Sequence, residues 1–278
     1  MTPQRLYLEA PAFWAPALPG WAWAAPALRG QPLADTPTAA RPAAALLAAN
    51  DRRRAPDGVL LALEVAQAAV AASGRDARTL PSVFSSAHGD QSVVDGLCST
   101  LASNPLLLSP TRFHHSVHNA GAGYWALATG SHAANSAVAG YTHSWATGWL
   151  EAATQASCEQ QAVLLVGSDT QATGPLASVN RSRGLLALAV VLAPTRSAHS
   201  AWAVDWAVAP GSVPTPALHS AAAQALADNA MADGLPLFEA LATLGQPGQA
   251  TACTLRLPLA DEGLHLLLTL QTLPAHAG

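Results

Sequence analysis

Four stretches of this 278-residue chain set hydroxyl, imidazole and carboxyl groups close together. In SSAHGD, residues 85 to 90, a serine, a histidine and an aspartate follow one another, the residue types of a nucleophile–base–acid relay. Such a relay depends on convergence in space, not in sequence, so a polar loop at a strand's end is the plainer reading. In FHHSVHN, residues 113 to 119, His114 and His118 stand four apart. On a helix both imidazoles would share a face, where a metal could sit, with His88 and Asp90 or His143 as candidates for a further ligand. A loop whose histidines bond to backbone and to each other is the preferred alternative, and no metal is expected. GSD, residues 167 to 169, ends an apolar run where α/β sheets present ligands, though a turn residue capping the next segment explains it as well. In AVAGYTHSW, residues 137 to 145, a strand end, a turn at Gly140 and a helix start follow in order, a common mount for a nucleophile. Tyr141 could serve as an acid and His143 as a base for Ser144, but neighbours on a helix point about 100° apart. Neither a Cys nor a G-x-S-x-G elbow stands there.

The elements that must position these groups alternate between strand and helix patterns. RLYLEAPAFWAP reads as a first strand, and residues 14 to 48, rich in Pro, Ala and Trp, as an irregular excursion. From Asp57 to Gly74, apolar residues recur at helical spacing. PSVFSS is a short buried strand, and SVVDGLCSTLAS a helix stopped by Asn104-Pro105. SPTRFHHSVHNAGAGYWALATG is a loop entering a helix that ends at Gly130. A strand over 134–140 and a helix from Thr142 follow, then the strands AVLLVGSD and RGLLALAVVLAP, the latter apolar on both faces as in the middle of a covered sheet. This alternation predicts an α/β sheet with helices on its faces. After Pro194 the rhythm changes to a strand, SAWAVDWAVA, then one or two helices broken at Gly234-Leu235-Pro236, then a hairpin of ATACTLRLPL and LHLLLTLQTL joined at Asp261-Glu262-Gly263. Two parts are expected, residues 1–195 and a shorter strand–helix–hairpin part, 196–278, packed on the first.

Composition narrows the chemistry. Half of the residues are hydrophobic, 11% are charged and the net charge is −4. That is ample material for a core and little for gripping nucleic acid. So few charges leave part of the surface to be covered by a partner. All 13 basic residues are Arg, which removes every lysine-dependent mechanism, and high-GC coding is the simplest cause. Cys98, Cys158 and Cys253 are scattered and form neither a disulfide framework nor a zinc knuckle. Phe113 to Leu150 lacks Asp, Glu, Lys and Arg but is studded with His, Asn, Ser and Gly, so it reads as a buried part of a soluble fold, not a membrane span. MTPQRLYLEAP lacks the apolar core of a secretion signal, and a cytoplasmic location is expected.

Taken in order, the motifs resemble the amino-terminal half of a β-ketoacyl synthase. That family has a Phe…Ser…Asn…Ala-Gly run, a strand, a nucleophilic Cys at a helix start, and an apolar strand ending near glycine and an acid. Here these map to Phe113, Ser116, Asn119 and Ala122-Gly123, the strand Asn135 to Gly140, the turn Gly140, Tyr141 and Thr142, and the strand Val163 to Gly167. NRSRGLLALAVVLAP is similar to the next strand of the family without its Glu-Gly pair, and the likeness covers roughly residues 48 to 195. No single motif is strong; their order is. The resemblance implies a thiolase-like layered fold, with one mixed five-stranded half complete and a truncated second half. It also exposes two departures. The nucleophile's place falls on Gly140 or Tyr141, neither of which can form an acyl thioester. The G-T-G-T and K-x-x-x-G-H loops that carry the family's two histidines are not found.

A ketosynthase-like chain without Cys, His and His resembles the chain-length factor, the non-catalytic subunit paired with an active ketosynthase in type II polyketide systems, here of the aryl-polyene or xanthomonadin kind. The resemblance implies pairing through the strand before the nucleophile turn, so ANSAVAG is expected to be an edge that a partner covers. It places Phe113, His118, Asn119, Tyr124, Leu127, Ala137, Ala139 and Tyr141 at the interface or along an acyl tunnel. A ketosynthase is the expected partner, with acyl carrier protein as a transient one, and no cofactor, nucleic acid or membrane span. Two alternatives stand: a hydrolase or acyltransferase using Ser116, His118, His143 or Ser144, and a homodimeric acyl-binding scaffold.

Overall fold

The computed structural model describes residues 3–33, 39–180, 182–259 and 263–274. Its elements in chain order are β1 (Gln4–Trp14), α1 (Trp21–Leu28), α2 (Ala49–Arg54), α3 (Asp57–Ser73), β2 (Ser82–Ser85), α4 (Gln91–Ser103), α5 (Pro110–His115), α6 (Ala120–Thr129), β3 (Asn135–Val138), α7 (Ser144–Glu159), β4 (Val163–Asp169), β5 (Leu186–Ala193), β6 (Ser200–Pro210), α8 (Ala221–Gln224), α9 (Leu235–Thr243), β7 (Ala252–Pro258) and β8 (Leu264–Thr272).

β5, sequence LALAVVLA, has no polar side chain and is buried along its whole length. Its period of two sends Leu186, Leu188, Val190 and Leu192 into one core, and Ala187, Ala189, Val191 and Ala193 into the other. On the Leu/Val side lie α7, with Trp145 and Trp149, and α9, with Leu237, Phe238 and Leu241. On the Ala side lie α3, with Leu60, Leu61, Leu63 and Val65, and Trp125 of α6.

All eight strands form one sheet in the order β3-β2-β4-β5-β1-β6-β8-β7. β3, β2 and β4 run parallel because α6 and α7 carry the chain back between them. β4 and β5 are joined without a regular helix longer than one 3₁₀ turn and pair antiparallel, as do all the pairs beyond them. The α/β class is therefore as the sequence implied. Five strands fall before residue 195, as the resemblance implied for the first half, and three more continue the same sheet, giving eight among the described residues. Val204, Trp206, Leu257, Leu266, Leu268 and Leu270 of the added strands all enter the α7–α9 core, so this end of the sheet is covered on one face only.

Most expected elements fall where the pattern put them: α3 spans Asp57–Ser73 before Gly74, α4 stops before Asn104, and α6 stops before Gly130. The stretch expected to be irregular contains a helix, Trp21–Leu28, that packs Ala24, Ala27 and Leu28 on the α9 side. The Gly263 end of the expected hairpin loop is described, while Asp261 and Glu262 lie outside the described residues.

What fixes the site is the seat of α7. A Cβ on Gly148 would stand 2.8 Å from Ser85 Cβ and 3.0 Å from Leu165 Cδ1, so only glycine lets α7 lie this close to β2 and β4. Gly148→Val is expected to destabilise the chain by about 2 kcal/mol or more through overpacking, measured by denaturant unfolding. An unchanged midpoint would mean that α7 is not seated as described.

Candidate functional site

β3 ends at Val138, and Gly140 opens a single 3₁₀ turn, Tyr141–His143, that leads into α7. A Cβ on Gly140 would collide with Thr147 Oγ1 and lie 2.7 Å from the His143 carbonyl, so the turn closes only on glycine. Tyr141 has φ +51°, a left-handed conformation uncommon for a bulky side chain. Two short bonds lock the turn: Gly140 N–H donates to Ser144 Oγ (3.1 Å), and Ser144 Oγ–H donates to the Tyr141 carbonyl (2.8 Å). Ser144 is fully buried and occupied in both roles, so it does not offer a nucleophile. This is a strand–turn–helix elbow whose central residue, held in a strained backbone, is a tyrosine.

The Tyr141 hydroxyl donates to the Val179 carbonyl (2.7 Å). Its ring meets His88 edge to face, with centroids 5.3 Å apart. His88 Nε2 is buried without a hydrogen-bond partner, and burial holds its pKa below the ordinary imidazole value. Tyr141, Thr142, His88, Asn180 and Asp233 line one cleft of about 680 Å³.

The serine–histidine–aspartate stretch does not assemble into a relay. Ser86 Oγ–H donates to Asp169 Oδ1 (2.8 Å) while accepting from Gly89 N, and Ala87 N donates to Asp169 Oδ2 (2.9 Å). Asp90 caps α4 by accepting from Ser92 N and Val93 N, and it also accepts from Gly58 N in the first turn of α3. The aspartate of GSD thus caps the loop after β2, a role across the sheet that its local sequence does not reveal.

His114 and His118 do not share a helical face, because α5 ends at His115 with Ser116 as its cap. His118 instead donates Nε2–H to the Ser86 carbonyl (2.9 Å), and His115 Nε2 pairs with the Tyr124 hydroxyl (2.7 Å). Ser116 Oγ–H is turned back to the Phe113 carbonyl. Among the described residues, no group of three or more His, Cys, Asp or Glu is placed to hold a metal ion.

The interface candidates differ in exposure and surroundings. Phe113 is 68% exposed and Leu127 80% exposed, close in sequence to the exposed Leu106 and Leu107. Asn119 is the exposed N-cap of α6 with no side-chain capping bond. Tyr124 and Leu127 line a groove of about 580 Å³. Ala137 lies on β3, which pairs with β2 on one side and is the sheet's end strand, and Ala139 follows it exposed.

Asp233 escaped the sequence reading, since one aspartate in ADNAMADGLP carries no motif. It is buried at the start of α7, where its oxygens accept from Trp145 N (3.3 Å) and Ala146 N (3.1 Å). Burial pushes its carboxyl up to about 7, the neighbouring Asp169 charge adds to the rise, and the two amides pull the other way. Asp169 is likewise pushed up to about 7 by burial, against its bonds from Ala87 and Ser86. Folded values raised this far mean that the folded state holds protons the unfolded state has lost. The stability these groups contribute is complete below about 4 and is lost as pH rises through about 7. His88 and His115, both lowered by burial, act in the opposite sense near their ordinary value. The test is therefore the difference between variant and parent. Asp233→Asn is expected to gain stability relative to the parent as pH rises from about 5 to about 8, by a few kcal/mol at most, on the order set by the pKa shift, and the gain is read as a rising melting temperature of the variant over the parent. A difference that stays flat over this range would mean that Asp233 is ionised in the fold throughout.

The geometry agrees with what known proteins show. The β-ketoacyl synthase N-terminal domain matches residues 23–256. Among solved structures, a ketosynthase (ApeO) in complex with its chain length factor (ApeC) from Xenorhabdus doucetiae superposes with a TM-score of 0.69 at 18% identity, covering 98% of this chain and 99% of that one. The ishigamide ketosynthase/chain length factor gives 0.72 at 13% identity over 97% and 99%. A type II polyketide synthase acyl-carrier protein in complex with its ketosynthase, AntDE:AntF, gives 0.72 at 11% identity over 98% and 100%. No curated protein matches the sequence. At these identities the structural likeness is one of fold, and the match over residues 23–256 shows the family: the chain belongs to the β-ketoacyl synthase N-terminal domain family.

Proposed function

We propose that this chain is a non-catalytic, chain-length-factor-type subunit that pairs with an active ketosynthase in a type II polyketide system of the aryl-polyene kind. The observation that carries the reading is Tyr141. It occupies the elbow where the family mounts its cysteine, in a left-handed backbone, with its hydroxyl tied to Val179. A phenol is a poor nucleophile toward a thioester beside a thiolate. Cys98 and Cys158 lie at exposed positions on α4 and α7, and Cys253 lies on β7, all away from the turn.

Pairing is supported by β3, the sheet's end strand, which among the described residues pairs with β2 alone. The exposed Leu106, Leu107, Phe113 and Leu127 give a partner apolar surface to bury. Described structures of similar fold contain ketosynthase–chain length factor pairs, which adds support. In this reading Tyr141 fills the nucleophile's space, and the side chains from Phe113 to Tyr141 wall an acyl tunnel shared with the partner. Acyl carrier protein is a transient partner of the pair. No helix among the described residues is long and apolar enough to cross a membrane.

Co-expression with its matching ketosynthase is expected to give a stable heterodimer on size exclusion. Ala137→Arg, which sets a charge on the edge strand, should abolish that peak, while Tyr141→Phe should keep both the complex and its product formation. A monodisperse monomer that ignores the ketosynthase would overturn the reading. So would a covalent acyl adduct on this chain alone after incubation with acyl carrier protein thioesters, read by intact mass, which is the result an acyltransferase would give.

A further inference from the structure

We propose that the cavity between α1, α9 and β7 is a binding site for an amphipathic monocarboxylate, a fatty-acid-like ligand whose aliphatic tail enters the cavity and whose carboxylate meets Arg29. The cavity has a volume of about 500 Å³, in the range of small-molecule sites. Leu28, Pro236, Ala240, Leu244, Cys253 and Leu255 make its aliphatic walls, with His219 and Glu239 among the polar residues that share the lining.

Its chemistry is set by one cation. Arg29 caps the end of α1, and its backbone N–H is held by the Ala25 and Pro26 carbonyls, so the side chain starts from a fixed point at the cavity's rim. Among the described residues, its guanidinium reaches only the Ala242 carbonyl and Gln31 Oε1, both at 3.3 Å. Arg29 Nε is buried and has no partner. A guanidinium offers five donors in a planar fork matched to a carboxylate. Here that fork belongs to a residue lining an apolar cavity and has only two neutral partners, both at 3.3 Å, and an incoming carboxylate would give the guanidinium the charged partner it lacks.

Glu239 also lines the cavity, and a rival acid could neutralise the cation. Its oxygens are already taken: both accept from His219 N at 3.1 Å, and Oε1 accepts from Ser220 N at 2.7 Å. Glu239 therefore ties the 218–220 segment to α9 and leaves Arg29 unpaired. The cavity shares only Pro216 with the cleft under Tyr141, so the site is separate from the elbow and does not depend on the role given to it.

Isothermal titration of the full chain, in whichever oligomeric state it purifies, tests this with dodecanoate, dodecanol and dodecyltrimethylammonium. No ketosynthase is needed, so the outcome stands apart from the pairing experiment. Saturable binding of one dodecanoate per chain is expected, with dodecanol weaker and the cation weakest. Arg29→Gln should weaken dodecanoate about tenfold, the worth of a charge-assisted hydrogen bond, and leave dodecanol unchanged. Ala240→Trp, which fills the cavity from α9, should abolish both, with an unchanged melting temperature showing that the fold is intact. Absence of saturable dodecanoate binding, equal binding of the three probes, or a dodecanoate affinity unmoved by both substitutions would overturn the proposal. The preference among the three probes is read on the parent protein, so it decides the matter even where a variant fails to fold.

Discussion

The carboxylate of Asp233 against the first amides of α7 is the contact on which the elbow depends. Two of the four N–H groups that any helix leaves unsatisfied at its start are held by a side chain some 90 residues further on. A negative charge there is favoured by the helix dipole and opposed by burial, and the elevated carboxyl shows that burial weighs more. The outcome is mechanical. The elements after β6 reach back across the sheet and hold the turn between β3 and α7 from behind, while Gly148 lets the same helix sit on β2 and β4. Position and tilt of α7 are thereby fixed within its first two turns.

Packing on the two faces of the sheet is complementary in size. On β5 the large side chains face α7, a helix rich in small residues (Ala146, Ala152, Ala153, Ala156) with Trp145 and Trp149 between them. The alanines of β5 face α3, whose Leu60, Leu61, Leu63 and Val65 supply the volume the strand lacks. Small against large is clearest on the α3 side, while on the other face the leucines of β5 share their core with Trp145, Trp149 and the α9 side chains Leu237, Phe238 and Leu241. The alternation also makes register strict, because a slip of β5 by one residue would set leucine against leucine on one face and alanine against alanine on the other.

These patterns are why much of the fold was legible in the sequence. The alternation in LALAVVLA, the helical spacing from Asp57 to Gly74 and the terminal hairpin each follow from local periodicity. Where the reading stopped, the determining partner was distant. Trp21–Leu28, with Pro26 inside it, has the composition of a loop and becomes a helix because it can bury Ala24, Ala27 and Leu28 against α9. His114 and His118 have the spacing of a metal pair, yet the helix ends between them and Ser86 claims the second. Asp169 was legible as a strand-end cap but not as the group that organises the loop after β2. The elbow itself was legible from Gly140 and its neighbours, whereas the left-handed backbone at Tyr141 was not, since nothing in a tyrosine announces it.

That last point bears on what holds the elbow in shape. The bonds that shape the turn run between Gly140 N, Ser144 Oγ and the Tyr141 carbonyl, and those that anchor α7 run from Asp233 to backbone amides. None of them uses the side chain at position 141. Left-handed strain there, of the order of 1–2 kcal/mol for a non-glycine residue, is imposed by the surroundings and is the same whether the side chain is reactive or inert. Chemistry at this position is therefore uncoupled from folding. The side chain at 141 is thus free to vary without disturbing the bonds that shape the turn, and the phenol found there adds a bond to Val179 and an edge-to-face contact with His88. What the elbow then keeps is its shape, with β3, the sheet's end strand, beside it.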